Sequence, residues 1–474
     1  MKKLLLAFKA CFALAATYAQ HQPSSPAIDS LKSERDPAVL QKKLDKLSKG
    51  NEQDLNLLIG YYYNVGSQAK ADSIIQATVK KYPKGPTAYQ QYENKLYTTH
   101  GGKNQEELFL ANKGKFGNRD LDTQYFSVGV AYAIDRDLVK MNEYRGKIKN
   151  PYLQSVFARV SASAVMKYDS KAAEQIAKPE AEALYKKGMP DAAPNSSGYP
   201  DEKTRHYLQF MEVYATILTN NEQYEEAYKY AKAAYDANAN KSDELKGGYA
   251  FLLYKTGRYN ETFPLLYELV STGKGNDELK QALKETYIKL NPGKDVGAYM
   301  VQVDNVLKAK IKEELTKTQL NEDAPNFVVT DVNGNTVTLA DLKGKTIVLD
   351  FWATWCGPCK ASFPAMQRVV NEYRNNPNVK ILFVHTWENN KEPLKAAQNY
   401  LNTNNYKFDL YMDLKDPETN TNPAVTAFGV KGIPAKFVID GNGKIRFKKV
   451  GFDGADDAAV AELSAMIDMV SSKK

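Results

Sequence analysis

Cysteine is nearly absent from this chain: 474 residues hold three, Cys11, Cys356 and Cys359. The four histidines, His21, His100, His206 and His385, are scattered. A zinc site built on cysteine and histidine gathers four ligands at short spacings, which this set does not supply. A fold stapled by several disulfides is excluded by the same shortage. Charge of one sign is scarce as well. Lys and Arg number 64 against 56 Asp and Glu, interleaved throughout, for a net charge of +8. With no arginine cluster or basic stripe, nothing points to nucleic acid, and the mild excess reads as a solvated surface. Long hydrophobic runs are also missing. The longest, from Leu4 to Ala16, falls short of the ~20 residues that span a bilayer.

That short run follows Lys2 and Lys3 and ends in Thr17-Tyr18-Ala19. A charged start, an apolar stretch and a small-residue cleavage site make residues 1–19 read as a signal peptide, cut after Ala19. A cytosolic chain with an apolar start is the alternative. Phe8 and Lys9 sit badly before a lipidated cysteine, so anchoring through Cys11 is not expected. The chain reads as exported, to the periplasm or cell envelope, and its mature form keeps one cysteine pair.

After the signal, about 455 residues remain, enough for two or three domains. Residues 20–37, polar and rich in Pro and Ser, read as a flexible leader. Residues 38–315 are dominated by helical periodicity and rich in Ala, Leu, Lys, Glu and Tyr, with a long loop at 186–202. A polar connector at 316–326 follows, and in 327–474 short β-rich runs alternate with helical ones. The helical part carries a weak repeat. The string N-E-Q-Y-E-E-A from Asn221 answers T-G-R-Y-N-E-T from Thr256, which puts Tyr224 and Tyr259 35 residues apart. Leu55, Leu58, Ile59, Tyr62, Ala71 and Ile75 fall in the same register. The pattern resembles the tetratricopeptide repeat, with small residues where paired helices approach. An irregular helical bundle remains open, and the many tyrosines read as packing.

The chemistry lies in Cys356-Gly357-Pro358-Cys359. The run T-I-V-L-D-F-W from Thr346 is apolar and β-branched, as a buried strand should be, and helical spacing begins after the cysteines. The first cysteine therefore falls at a helix N-terminus, where unpaired N–H groups and the helix dipole favour a thiolate. Cys356 is the expected exposed nucleophile and Cys359, one turn in, the shielded resolving thiol. A redox pair is the leading reading; a structural disulfide would close too small a loop to stabilise much.

The string D-F-W-A-T-W-C-G-P-C-K from Asp350 to Lys360 is similar to the thioredoxin superfamily almost residue for residue. Pro364 falls where that family kinks its active-site helix. Gly429-Val430-Lys431-Gly432-Ile433-Pro434 resembles the loop whose proline is cis and faces the dithiol. The hairpin around Asp440-Gly441-Asn442-Gly443 and a helix from about Asp456 close the pattern. An extra helix and strand at 392–412, and a hairpin at 324–335, make the chain resemble the exported TlpA/ResA-type oxidoreductases. The implied architecture is multidomain: an all-α repeat-like region followed by an α/β thioredoxin-like fold, a central mixed sheet flanked by helices.

The resemblance implies roles. Cys356 and Cys359 form the redox-active disulfide. Asp350, a costly carboxylate amid apolar neighbours, would shuttle the proton of the resolving thiol. Trp355, Gly357, Pro358, Ile433 and Pro434 would contact the target. Ala435 replaces a threonine common in the family. His385 reads as structural. No cofactor and no metal is implied. The activity expected is reduction of protein disulfides, with a separate membrane or envelope thiol reductant as electron donor because no third mature cysteine could relay electrons. An oxidase or isomerase using the same residues stays open, as does a helical-repeat partner-binding protein with a secondary redox domain. A peroxidase would need a proline- and threonine-flanked cysteine, and Leu349 to Thr354 gives no such context.

Overall fold

Side-chain caps start many of the helices. Asp36, Asn51, Asn150, Asp169, Asp201, Ser242, Asn276 and Asp295 each accept from first-turn backbone N–H groups. Those donors have no acceptor within the helix, so the cap satisfies them. The structure, a computed structural model, describes residues 25–190, 201–388, 390, 392–452 and 456–471. The stretch expected to be a signal peptide, Cys11 within it, residues 20–24 of the expected leader and residues 191–200 of the long loop lie outside the described residues. An all-helical region spans residues 26–318 and a mixed sheet flanked by helices follows. The chain divides into two compact units, Met1–Ala239 and Asn240–Lys474.

Within the first unit, the described part of the leader is ordered rather than loose. Pro26–Lys32 is a helix, with Ser25 as N-cap and proline in its first turn, and it buries Ile28 and Leu31. Further on, helix pairs join through one recurring turn. Gly66, Arg136 and Glu222 take φ of 75°, 69° and 60°. The next N–H, of Ser67, Asp137 and Gln223, reaches back five residues to Tyr62, Tyr132 and Leu218. This left-handed C-terminal motif satisfies carbonyls that the helix end leaves open. Ala71, Ala133, Ala173, Ala177, Ala227 and Ala234 are fully buried, as small residues at close helix approaches must be. Tyrosines fill the wider gaps: Tyr214 and Tyr230 are each 1% exposed and meet edge to face at 4.7 Å.

Elements of the second unit are numbered on their own. Four helices come first: α1 (Asp243–Lys255), α2 (Tyr259–Ser271), α3 (Asp277–Leu290) and α4 (Val296–Thr318). The turn between α1 and α2 repeats the same motif at Gly257, with Arg258 N–H on Leu253. Strands β1 (Glu322–Asp323), β2 (Val328–Asp331) and β3 (Thr336–Thr338) precede β4 (Thr346–Trp352) and α5 (Gly357–Tyr373). Then come β5 (Val379–His385), α6 (Pro393–Thr403), β6 (Leu410–Met412), α7 (Pro423–Ala427), β7 (Ala435–Ile439), β8 (Lys444–Val450) and α8 (Asp456–Ser471). The sheet runs β1-β8-β7-β4-β5-β6-β2-β3. β4 pairs parallel with β5 and β5 with β6, while β7 lies antiparallel to both β4 and β8.

Every residue of β4 is buried, which explains its unbroken apolar run. One face carries Val348, Trp352, Phe383 and Val438 under α5 and α8; the other carries Ile347, Leu349, Phe351 and Phe437. The polar connector is structured too. Helix α4 continues to Thr318, and β1 pairs Glu322 and Asp323 with Ile445 and Lys444. Helix α4 also supplies Leu315, 4% exposed, and Ile311 to the core beneath α5 and α8. Asp457 of α8 binds Arg368 at 2.6 Å and Lys280 of α3 at 3.3 Å. Burial pushes the Asp457 carboxyl up, but those two cations hold it below its usual range.

Candidate active site around Cys356 and Cys359

The edge between β4 and α5 creates the site. The strand ends at Trp352, the backbone turns with Cys356 N–H on the Ala353 carbonyl, and α5 starts at Gly357 with Pro358 in its first turn. Cys356 is the N-cap residue, and its sulfur lies 3.2 Å from the Cys359 N–H. The two cysteines form a disulfide with Cα atoms 5.3 Å apart. A sulfur in that place meets the positive end of the helix, so negative charge released on reduction is stabilised there.

One expectation is corrected. Cys356 is not exposed in the closed pair: it is 2% exposed, and Cys359 is fully buried. Its sulfur is turned inward, bonded to Cys359 and 3.6 Å from the Ile433 carbonyl oxygen. What faces solvent is the rim. Gly357 and Pro358 are exposed, and Trp355 is 56% exposed. A side chain added at Gly357 would meet nothing within 4 Å, so packing does not demand glycine there.

The loop from Gly429 approaches from the side of β7. Its Ile433-Pro434 peptide is cis, and Ile433 is half-buried between the two cores, with Pro434 buried behind it. The structure thus gathers Cys356, Cys359, Ile433 and Trp355 at one edge and sets Asp350 beneath them. Val348 and Trp352, which flank Asp350 on its strand face, share a core with Cys359. Asp350 is fully buried, and neither carboxylate oxygen has a hydrogen-bond partner of good geometry. Lys436, its cross-strand neighbour on β7, brings Nζ to 3.3 Å of Oδ1. Burial raises the Asp350 pKa above the usual carboxylate value, against the opposing pull of Lys436.

The residues after β5 form a bracket that the sequence did not disclose. Trp387 takes a left-handed φ of 51°, an uncommon conformation for a bulky side chain, and its carbonyl accepts from Trp355 Nε1 at 2.8 Å. Glu388 accepts from the N–H and hydroxyl of Thr354, two residues before Cys356. It also lies 3.3 Å from His385 Nε2. His385 is buried against the Trp352 ring at 4.8 Å, and desolvation pushes its pKa down to about 4 despite Glu388. A second tie runs through Asp413 at the end of β6. It accepts from Thr386 Oγ1 and from the Ala424 and Val425 N–H groups that open α7, the helix leading into the proline loop. No spacing rule marks Glu388 or Asp413, because loop closure brings them in. Lys436 did carry a signal: a lone charge in the apolar run A-K-F-V-I.

Comparison with known proteins bears on the same segment. Residues 320–448 match the AhpC/TSA family. Thiol-disulfide oxidoreductase ResA of Bacillus thuringiensis (strain Al Hakam) is 35% identical over 135 residues, 28% of this chain and 72% of that protein. ResA of Bacillus anthracis gives the same figures. Among solved structures, a thiol:disulfide interchange protein of the thioredoxin family from Chlorobium tepidum TLS is 27% identical, covering 31% of this chain and 97% of that one, with a TM-score of 0.25.

Proposed function

Because this chain belongs to the ResA family of thiol-disulfide oxidoreductases, within the thioredoxin superfamily, we propose that it is an exported reductant of protein disulfides acting through Cys356 and Cys359. The observation that carries this reading is the disulfide itself, with its first sulfur capping α5 and receiving the Cys359 N–H. In the reduced enzyme, the Cys356 thiolate attacks one sulfur of a target disulfide, and the other target sulfur leaves as a thiolate. Cys359 then gives its proton to Asp350 and attacks the Cys356 sulfur, releasing the second target thiolate. Two electrons pass from enzyme to target, and two protons finish on the target thiols. A separate envelope thiol reductant restores the dithiol.

The exposed rim of Trp355, Gly357 and Pro358, with Ile433 beside the sulfur, is where a target would rest. Export rests on the N-terminal 19 residues, read as a cleaved signal peptide. The helical residues 38–315 would select or position a protein partner. Their repeated turns at Gly66, Arg136, Glu222 and Gly257 support a tetratricopeptide-like array, whose stacked pairs offer an extended surface.

Equilibration of the purified protein with a glutathione or thioredoxin couple tests the direction. A potential within roughly 40 mV of the ~−270 mV typical of thioredoxin is expected. A value above about −160 mV would transfer the assignment to an oxidase or isomerase, since strong oxidants sit near −120 mV.

A further inference from the structure

Three neighbouring strands each deliver a large apolar residue to the sheet edge that bears the disulfide. β4, β5 and β6 run parallel, with Trp352, His385 and Met412 in register at that edge. Trp355 follows β4, Trp387 follows β5 and Leu414 follows β6. Trp355 is 56% exposed and Leu414 50% exposed. Trp387 is half-buried, packed on the same core as Val430 and Ile433 of the proline loop.

The backbone beneath this row is fixed. Trp355 Nε1 donates to the Trp387 carbonyl at 2.8 Å. One residue earlier on β5 and β6, Thr386 Oγ1 donates to Asp413 Oδ2 at 2.8 Å, and the Asp413 N–H donates to the His385 carbonyl at 2.9 Å. Asp413 also accepts from the Ala424 and Val425 N–H groups, so Leu414 follows a residue tied on two sides. Trp387 takes φ of 51°, a conformation that glycine adopts freely and a bulky side chain only at a cost. Such strain persists where a site has a use for the side chain it holds. Neither the Trp387 ring nor Leu414 has a part in moving electrons or protons between the sulfurs. Both fit a surface that a target covers.

We propose that Trp355, Trp387 and Leu414 form an apolar shelf that takes a large apolar side chain of an extended target segment, about three residues from the attacked cysteine. The proposal rests on the reading of this protein as a reductant of protein disulfides, and it states which ones: those flanked at that distance by Leu, Ile, Met or Phe. Strand spacing sets the distance. Neighbouring strands lie ~4.8 Å apart, which puts β6 ~10 Å from β4, and an extended target advances ~3.3 Å per residue. The occupant follows from continuity with the rim. A segment that rests its cysteine on Trp355, Gly357 and Pro358 and runs over β5 towards β6 reaches Leu414. Because the shelf is already ordered, little freedom is lost when it is covered.

The test uses the full chain, reduced, in single-turnover exchange with symmetric peptide dimers, each peptide joined to its copy through one cysteine. Leu or Ser is placed in turn at each of the first six or so positions on either side of that cysteine, in an otherwise polar peptide. Every rate is divided by the rate with glutathione disulfide on the same variant. The parent should favour Leu over Ser by about five- to tenfold at a position two to four residues from the cysteine, the low end of what one apolar contact adds to discrimination. Leu414→Ser should bring that ratio to within about twofold of one, and so should Trp387→Gly, which suits the left-handed backbone. Leu414→Gln is read in the same way where Leu414→Ser does not fold. A ratio near one at every position in the parent, or a preference that survives the Leu414 and Trp387 variants, overturns the shelf and leaves the reductase reading standing. A parent that exchanges with glutathione disulfide but with none of the peptides would sink both.

Discussion

At Asp350, burial and the proposed proton shuttle pull against each other. A carboxyl sealed from water and raised above its unfolded value near 3.9 holds its proton more tightly in the folded chain. Between the unfolded and the raised folded value, the folded state therefore binds more protons, and stability falls as pH rises through that window. Asp350→Asn removes this dependence. It should be more stable than the parent at pH 7, with the advantage shrinking towards pH 4, as urea titrations at both pH values would show. The same variant should resolve mixed disulfides at least about tenfold more slowly, below the ~10²–10⁴ that a positioned acid or base contributes. First attack by Cys356 should change little. If resolution kept its speed, Asp350 would be a packing residue only. The cysteines, Asp350, Trp355 and the proline loop were legible because each belongs to a contiguous string. Trp387, Glu388 and Asp413 were not, because their contacts cross 32, 34 and 27 residues of chain.

Among the elements, the helix turns show both the reach of sequence reading and its stopping point. Matching Asn221 to Thr256 puts Glu222 on Gly257, and both are the left-handed residue of the same turn. Arg136 occupies a third such place without any glycine to announce it. A non-glycine residue there costs roughly 1–2 kcal/mol, partly offset by the greater freedom glycine loses on folding. Glu222 is exposed, so Glu222→Gly should stabilise the chain by about 0.5–1 kcal/mol in chemical denaturation. A neutral or destabilising result would mean that the Glu side chain contributes more than its backbone strain. The leader helix at Pro26–Lys32 and the strand at Glu322–Asp323 were illegible for a different reason. Each is short and polar in pattern, and owes its order to two buried residues or to a partner strand far along the chain.

At the scale of the whole molecule, the change of texture near residue 320 is not where compactness divides; that boundary falls after Ala239. Helix α4 gives Leu315 and Ile311 to the core under α8, and α3 gives Lys280 to Asp457. A chain cut to 322–474 loses these, while one cut to 240–474 keeps them. Burying one leucine contributes about 1.5–3 kcal/mol, so the shorter piece should be less stable by at least about 2 kcal/mol and unfold at lower urea. Equal midpoints would make α1 to α4 dispensable to the redox fold. The nearly complete enclosure of both sulfurs has its own consequence. A small free thiol reaches the closed bond only during brief openings, whereas a macromolecule can settle on Trp355, Gly357 and Pro358 while the attack geometry forms. Two couples of equal potential would then exchange electrons with this pair at very different speeds. Insulation of that kind would keep neighbouring electron circuits from short-circuiting, and recognition at the rim, rather than driving force, would decide which couple reacts.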